Sequence, residues 1–246
     1  MKKILQKLAN RYGYRINRLS SPAINAFTAM KNLLNGVDEP IIFDAGAYHG
    51  YVSLTFRKMF PRSTIYAFEP FEESFKRLKA NTSSDHRIKA FNFGLSNRDG
   101  TQSFHSNTMS GTNSLLSTDE SGTQTWGKGL LETREITQAQ FMTIDSVIER
   151  LHIPRIDLLK LDVQGAEPLV MEGASEVCRR GIIHVVYSEI ITQPTYKDQK
   201  RFDEVLSSFY NNGFEIYNIY YMSLMREGRL RQVDVIFTRI DRYQNH

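Results

Sequence analysis

Four short apolar runs in this chain each stop at a carboxylate. Ile41-Ile42-Phe43 stops at Asp44, Thr64-Ile65-Tyr66-Ala67-Phe68 at Glu69, Ile156 to Leu161 at Asp162, and Ile182 to Tyr187 at Ser188-Glu189. Continuous runs of this length suit parallel strands buried on both faces. The stretches between them read as helices: Val52 to Phe56 closed by Pro61, Glu72 to Lys79, Glu167 to Glu172 closed by Gly173, and Phe202 to Tyr210 closed by Asn211-Asn212-Gly213. Strand and helix alternating in this way predict a doubly wound α/β sheet. Such sheets bind ligands at the carboxyl ends of their strands. One or two acids there could be turn or cap residues, but four in register are harder to dismiss.

The last part of the chain breaks the alternation. Two strands, near Phe214–Tyr221 and Val233–Thr238, are joined only by a turn around Glu227-Gly228 and must pair antiparallel. A mostly parallel sheet that ends in an antiparallel pair is the shape of the Rossmann-like class I methyltransferases. A plain dinucleotide-binding domain would not predict it. A second departure follows the third strand, Ile88 to Phe93. Residues 94–140 are rich in Ser, Thr, Asn and Gly, which predicts an excursion of short hairpins and loop. Long excursions in compact domains are usually functional or mobile, so Ser106 to Glu135 is the candidate acceptor lid. Trp126 either stacks on a sugar face or fills a gap in the lid's own small core. Thr143 is expected to cap a helix running from Val147 to Leu151.

Residues 1–36 read as a basic helical extension ending near Asn35-Gly36, and residues 37–246 as the main domain. The N-terminus lacks the continuous apolar segment and cleavage site of a signal peptide, so it is read as retained. Lys2, Lys3, Lys7, Arg11, Arg15 and Arg18 precede any acid. That helix could make a peripheral contact with an anionic membrane, or it could pack on the domain with a solvated basic face. Without those six charges the net +4 falls to about −2, which leaves no basic excess for a phosphate backbone and argues against a nucleic-acid partner. No apolar run approaches the roughly 20 residues that span a bilayer. Cys178 is the only cysteine, so no intrachain disulfide forms, and a cytoplasmic location is expected.

The first ligand loop is Asp44-Ala45-Gly46-Ala47-Tyr48-His49-Gly50. Gly46 and Gly50 allow close backbone approach to a ligand. The loop is not the GxGxxG that seats a pyrophosphate at a helix N-terminus. An acid opening the loop would repel a pyrophosphate and suit a cation, such as the amino group and sulfonium of S-adenosylmethionine (SAM). Glu69 stands 23 positions after Gly46, at the end of the second strand. An acid at about that spacing accepts hydrogen bonds from ribose hydroxyls. Tyr48, within the loop, joins the cofactor-binding set.

FDAGAYHGYVSLTF, YAFEP, FNFGLSNRDG, LLKLDVQGAEPLVMEGA and VDVIFTR are similar to the successive motifs of FkbM-type methyltransferases, over roughly residues 40–240. The resemblance implies a Rossmann-like fold, SAM as cofactor, and O-methylation of a hydroxyl on a sugar, glycan or other natural product. It implies that Asp44, Gly46 and Gly50 line the methionine end of SAM, that Glu69 holds the ribose, and that Gly94-Leu95-Ser96 approaches the adenine. Asp162 belongs to the most specific motif and is placed in the cofactor set as well. The family pattern often has an acid where this chain has Gln164, which puts in doubt any role that needs a carboxylate there.

The expected acceptor is a small molecule or glycan. A base beside its hydroxyl would add roughly 10²–10⁴-fold to the rate, and the candidates are His49, Asp162 and Glu189. His49 could equally do no more than support its loop. Asp162 and Glu189 could together hold Mg²⁺, with His105 joining from the excursion, although no metal ligand is assigned. Glu167 sits beside Pro168 at a helix start, and a structural role there accounts for it. The competing readings are a NAD-dependent oxidoreductase or epimerase, a nucleic-acid methyltransferase, and a non-catalytic SAM-binding protein.

Overall fold

The computed structural model describes Lys7, Ala9, Arg11 and residues 25–240. Most of the basic N-terminal extension, and with it the expected membrane contact, lies outside the described residues. Helix α1 (Ala26–Leu33) belongs to a first compact unit and is capped by Asn25, whose side chain accepts from the Thr28 N–H. The second unit, from Gly36 onward, carries the α/β fold.

Its alternation follows the apolar runs. Strand β1 (Ile41–Ala45) leads through α2 (Tyr51–Met59) to β2 (Thr64–Phe68), and α3 (Glu72–Thr82) leads to β3 (Ile88–Phe91). After the excursion come α5 (Ile144–Leu151), β7 (Ile156–Leu161), α6 (Glu167–Glu172), α7 (Ser175–Arg179), β8 (Ile183–Ile191), α8 (Phe202–Asn211) and the pair β9 (Phe214–Leu224) and β10 (Leu230–Arg239). These strands form one seven-stranded sheet in the order β3-β2-β1-β7-β8-β10-β9. The first five are mutually parallel, whereas β10 runs antiparallel to β8 and β9 antiparallel to β10. Every residue of the central strand β7 is buried, as a strand covered on both faces requires. The main core runs from Phe43 and Phe68 through Leu159 and Val186 to Phe237, where Phe209 of α8 stacks on Phe237 at 4.1 Å.

The strand order reverses between β1 and β7. The chain winds outward through β2 and β3 on one side and through β8 on the other. A crevice therefore opens where the loops after β1 and β7 diverge, which is where doubly wound sheets hold their ligands.

The excursion is better ordered than its composition suggests. Strand β4 (Gly94–Leu95), β5 (Gly100–Asn107) and β6 (Thr133–Met142) form a second sheet in the order β4-β6-β5. The expected short hairpins are instead one long antiparallel ladder, from Gly100↔Phe141 to Asn107↔Thr133. The insertion between its strands holds a 3₁₀ turn (Ser110–Thr112) and α4 (Glu120–Trp126). Polar side chains disguise the ladder because one face of β6 is exposed, and only Phe104, Ala139 and Phe141 close a small core with Phe71. The expected third strand also ends sooner, at Phe91, because Gly94 and Leu95 leave β2 and pair with β6. Thr143 caps α5 as expected, accepting from the Ser146 N–H at 3.0 Å, and the helix starts at Ile144.

Candidate active site

The loop after β1 is held against the end of β2 by backbone bonds from Gly46 and Ala47 to the Phe68 carbonyl. Gly46 has φ +71°, and a Cβ there would stand 1.9 Å from the Asp162 carbonyl oxygen. Only glycine lets the β1 and β7 loops approach this closely. Tyr48 also adopts a left-handed conformation, φ +52°, and its N–H donates to Glu69 Oε2 at 2.8 Å. Glu69 Oε1 accepts from the Phe71 N–H at 3.0 Å. Burial pushes the Glu69 carboxyl up to about 7, against the opposing pull of those two N–H groups and of Lys160.

Beyond β7 the chain turns through Asp162-Val163-Gln164-Gly165. Glu167 holds this turn from below, accepting from Val163 N–H at 3.0 Å and Gly165 N–H at 3.4 Å. Its carboxyl is buried, which pushes it up to about 7. Gln164 is a non-glycine residue at φ +56°, and backbone strain of this kind persists where the surroundings fix it. Its Nε2 donates to Asp162 Oδ1 at 2.9 Å and to Glu189 Oε1 at 3.1 Å, and its Oε1 accepts from the Tyr196 hydroxyl at 3.1 Å. An acid at position 164 would face two other carboxylates. The amide instead bridges them, which accounts physically for the departure from the usual pattern.

Lys160, inside β7, ties the two loops together. Its Nζ lies 3.0 Å from Asp44 Oδ1 and 3.6 Å from Asp162 Oδ2, and donates to the carbonyls of Ala45 and Gly46 at 3.2 and 2.8 Å. Burial pulls this ammonium down, but Asp44 and Asp162 outweigh it and hold Lys160 above its usual value. A lysine within an apolar strand gives no sign of this role until the neighbouring strand ends are placed around it.

Between the loops and the second sheet lies a cleft of about 690 Å³. Six of the expected site residues line it: Gly46, Tyr48, Glu69, Gly94, Leu95 and Asp162. The Asp162 side chain is 36% exposed and is the acid open to the cleft beside Gln164. The excursion adds Phe104 and Phe141, which no sequence signal had singled out, and Ser110, Gly111, Asn113 and Leu115 from within the expected lid. The expected lid thus contributes its first half. Trp126, in the second half, is outside the lining: its Nε1 donates to Thr195 Oγ1, Arg231 lies over its ring at 4.5 Å, and it packs on Leu131, Ile191 and Tyr196.

Four expected residues do not line the cleft. Asp44 is fully buried and already paired with Lys160 and the Ser53 hydroxyl, so a ligand cation cannot occupy it. Gly50 starts α2, and a Cβ on it would meet Leu78 Cδ1 at 2.8 Å, so its role is to let α3 pack closely. His49 stacks on the Tyr48 ring with centroids 3.6 Å apart, and burial followed by the Arg77 charge holds its imidazole below its usual value. Glu189 does not end its strand: β10 extends the pairing to Ile191, with Glu189 opposite Asp234. Burial, then Asp162 and Asp234, push the Glu189 carboxyl well above the usual range, and Gln164 and Gln232 occupy its oxygens. Among the described residues no cluster of three or more His, Cys, Asp or Glu side chains could hold a metal ion, and His105 joins no such group.

Residues 44–216 match the family model of the methyltransferase FkbM domain. The chain belongs to the FkbM methyltransferase family. Its relatives include the 2-O-methyltransferase NoeI of Sinorhizobium fredii, 26% identical over 65% of this chain and 67% of that protein. Methyltransferase 1 of Beauveria bassiana is 29% identical over 56% of this chain and 60% of that protein. The chain thus spans about two thirds or less of these relatives. A Clostridium thermocellum protein described as an rRNA methylase has the same fold, with a TM-score of 0.50, 8% identity, and coverage of 87% of this chain and 95% of that one. As an FkbM methyltransferase the chain carries a Rossmann-like class I sheet, and the oxidoreductase reading falls. Among the described residues no helix is long and apolar enough to cross a membrane.

Proposed function

We propose that this FkbM methyltransferase uses S-adenosylmethionine to methylate a hydroxyl on a sugar, glycan or other natural product. One observation carries the cofactor reading: among the described residues the cleft at the switch point is lined by two carboxylates, Glu69 and Asp162, and by no lysine or arginine. That donor set suits a cationic sulfonium and is hostile to the pyrophosphate of a dinucleotide. The relative named as a 2-O-methyltransferase supports a hydroxyl as the acceptor.

Glu69 holds the ribose, since each of its oxygens keeps a lone pair beyond the one used by Tyr48 or Phe71. Gly94 and Leu95 flank the adenine, where a Cβ on Gly94 would run into the Phe141 ring at 2.3 Å. Gly46, Tyr48 and Asp162 face the methionine end. When bound, the cofactor supplies a methyl group already activated by positive sulfur, so the protein's work is alignment and proton removal. Asp162 is the candidate base: Gln164 orients one of its oxygens, and its carboxylate is open to the cleft to take the acceptor's proton. His49 and Glu189 do not line the cleft and take no part in proton removal in this reading. Residues 37–246 form the catalytic domain in this reading, with 1–36 as an extension.

The test is calorimetric titration with SAM, S-adenosylhomocysteine and NAD, followed by incubation with methyl-labelled SAM and a panel of sugars and polyols. Micromolar SAM binding with label transferred to a hydroxyl supports the proposal. Preference for NAD, or SAM binding with label appearing only on nitrogen or carbon, would sink it.

A further inference from the structure

The segment from Ser110 to Leu115 contributes four residues to the lining of the cleft and is fastened on both sides of Asn113. The Tyr196 hydroxyl shares its one proton between the Thr112 carbonyl at 2.9 Å and Gln164 Oε1, and Ser114 Oγ donates to the Gln164 carbonyl at 2.8 Å. Asn113 is held between these anchors and lines the cleft. Its Oδ1 accepts from the Asn107 N–H at 2.8 Å. A backbone N–H can only donate, so this bond fixes which end of the amide is oxygen and leaves Nδ2 on the other side. That Nδ2 is buried and has no hydrogen-bond partner among the described residues. A buried donor without an acceptor is costly, and native structures rarely keep one without a reason.

The ligand chemistry supplies a reason. The amino-acid portion of the cofactor brings a carboxylate into a cleft that, among the described residues, is lined by two acids and by no cationic side chain. An anion there must be received by neutral donors. Asn113, which lines the same cleft as Gln164 and Asp162, is the donor with nothing yet to donate to. We propose that Asn113 Nδ2 binds the carboxylate of the cofactor's methionine portion, which makes the excursion part of the cofactor site as well as a cover for it. The inference rests on the SAM reading above.

The test compares two probes, S-adenosylhomocysteine and 5′-methylthioadenosine, which lacks the amino-acid portion. The wild type is titrated with both by calorimetry, alongside Asn113→Asp. The aspartate keeps an acceptor for the Asn107 N–H but replaces the donor with a negative charge. S-adenosylhomocysteine should bind the variant about 10–100-fold more weakly, while 5′-methylthioadenosine binding stays within about twofold, because a bond to a charged group is lost and repulsion added. A thermal melt of the variant near wild type shows that the fold is kept. If Asn113→Asp fails to fold, Asn113→Ser serves as the second variant with the same selective loss expected. Equal weakening of both probes would mean a structural role and overturn the proposal. Unchanged binding of both, or tighter S-adenosylhomocysteine binding as a contact with the ammonium would give, would overturn it too. Failure of the wild type to bind either probe would count against the SAM reading itself.

Discussion

The seven-stranded sheet and the three-stranded sheet meet at one cleft, but they are specified in different ways. In the large sheet the central strands are apolar runs, and two of them carry a cleft-lining acid just past the run's end, as Glu69 follows Phe68 and Asp162 follows Leu161. In the small sheet the strands are largely polar, and Thr133 to Met142 buries little beyond Ala139 and Phe141. The first region takes its geometry from burial on both faces. The second takes it from a backbone ladder and from side-chain clasps such as Tyr48 to Ser110 at 3.0 Å. The difference suggests a rigid floor that positions charge and a wall that recognises through hydrogen bonds, and substitutions on the two sides should read out differently.

The largest effect is expected on the floor. Asp162→Asn should lower methyl transfer by about 10²–10⁴-fold while S-adenosylhomocysteine still binds, since the lost function is that of a base. Single-turnover rates with an acceptor found by screening measure it, and a fall below tenfold would move the base elsewhere. Next comes Gly46→Ala. Its methyl group would meet the Asp162 carbonyl at 1.9 Å on a backbone at φ +71°, which should cost about 3 kcal/mol or more and abolish tight cofactor binding. An unchanged melting curve would show that the two loops can part easily.

Glu69→Gln should weaken S-adenosylhomocysteine binding about 10–100-fold, as a charge-assisted acceptor becomes neutral. Because burial raises Glu69 to about 7, wild-type affinity should rise as pH increases through 7 and the carboxylate forms, and the variant should lose that slope. The same upward shift has a stability consequence. Glu69 and Glu167 keep their protons to a higher pH when folded than when unfolded, so their stabilising contribution is complete below about 4.5 and is lost as pH rises through about 7. For Glu167 that difference amounts to about 3 kcal/mol at most. Glu167→Gln should therefore flatten the pH dependence of chemical denaturation across this window, and a slope that survives in the variant would place it on another group.

The smallest effect should come from the wall. Tyr48→Phe removes one neutral hydrogen bond to Ser110, about 0.5–1.5 kcal/mol, and should weaken S-adenosylhomocysteine binding by no more than a few-fold, read by calorimetry. A large fall in cofactor affinity instead would make the clasp part of the floor.

Much of the floor was legible from the chain. The runs ending at Phe68 and Leu161 mark strands because a segment covered on both faces must be apolar throughout, and the glycine loop and Glu69 carry spacing that any reader can count. Asp44 and Glu189 show where such reasoning stops. Both are acids next to apolar runs, yet Asp44 points at Lys160, and Glu189 is drawn into a longer strand by pairing with β10. A strand-end acid and a buried partner of a distant lysine look alike in sequence. Asn113 lies at the other extreme, one asparagine in a polar stretch, and it became visible only when Asn107, Thr112 and Ser114 were seen to fix its orientation.

Local patterns in the chain were enough to give the alternation of the large sheet, its antiparallel close, and the placing of Gly46, Glu69 and Asp162 near strand ends, because hydrophobic period and turn chemistry act over a few residues at a time. Tertiary structure alone decided which acids face the cleft and which are neutralised inside, and that a polar stretch of residues 100–142 folds into a wall across it. Those outcomes depend on pairs such as Asp44 with Lys160, and Ser114 with Gln164, whose members lie 116 and 50 positions apart. No local pattern encodes a contact of that separation. It exists only once the two strand ends have been brought side by side.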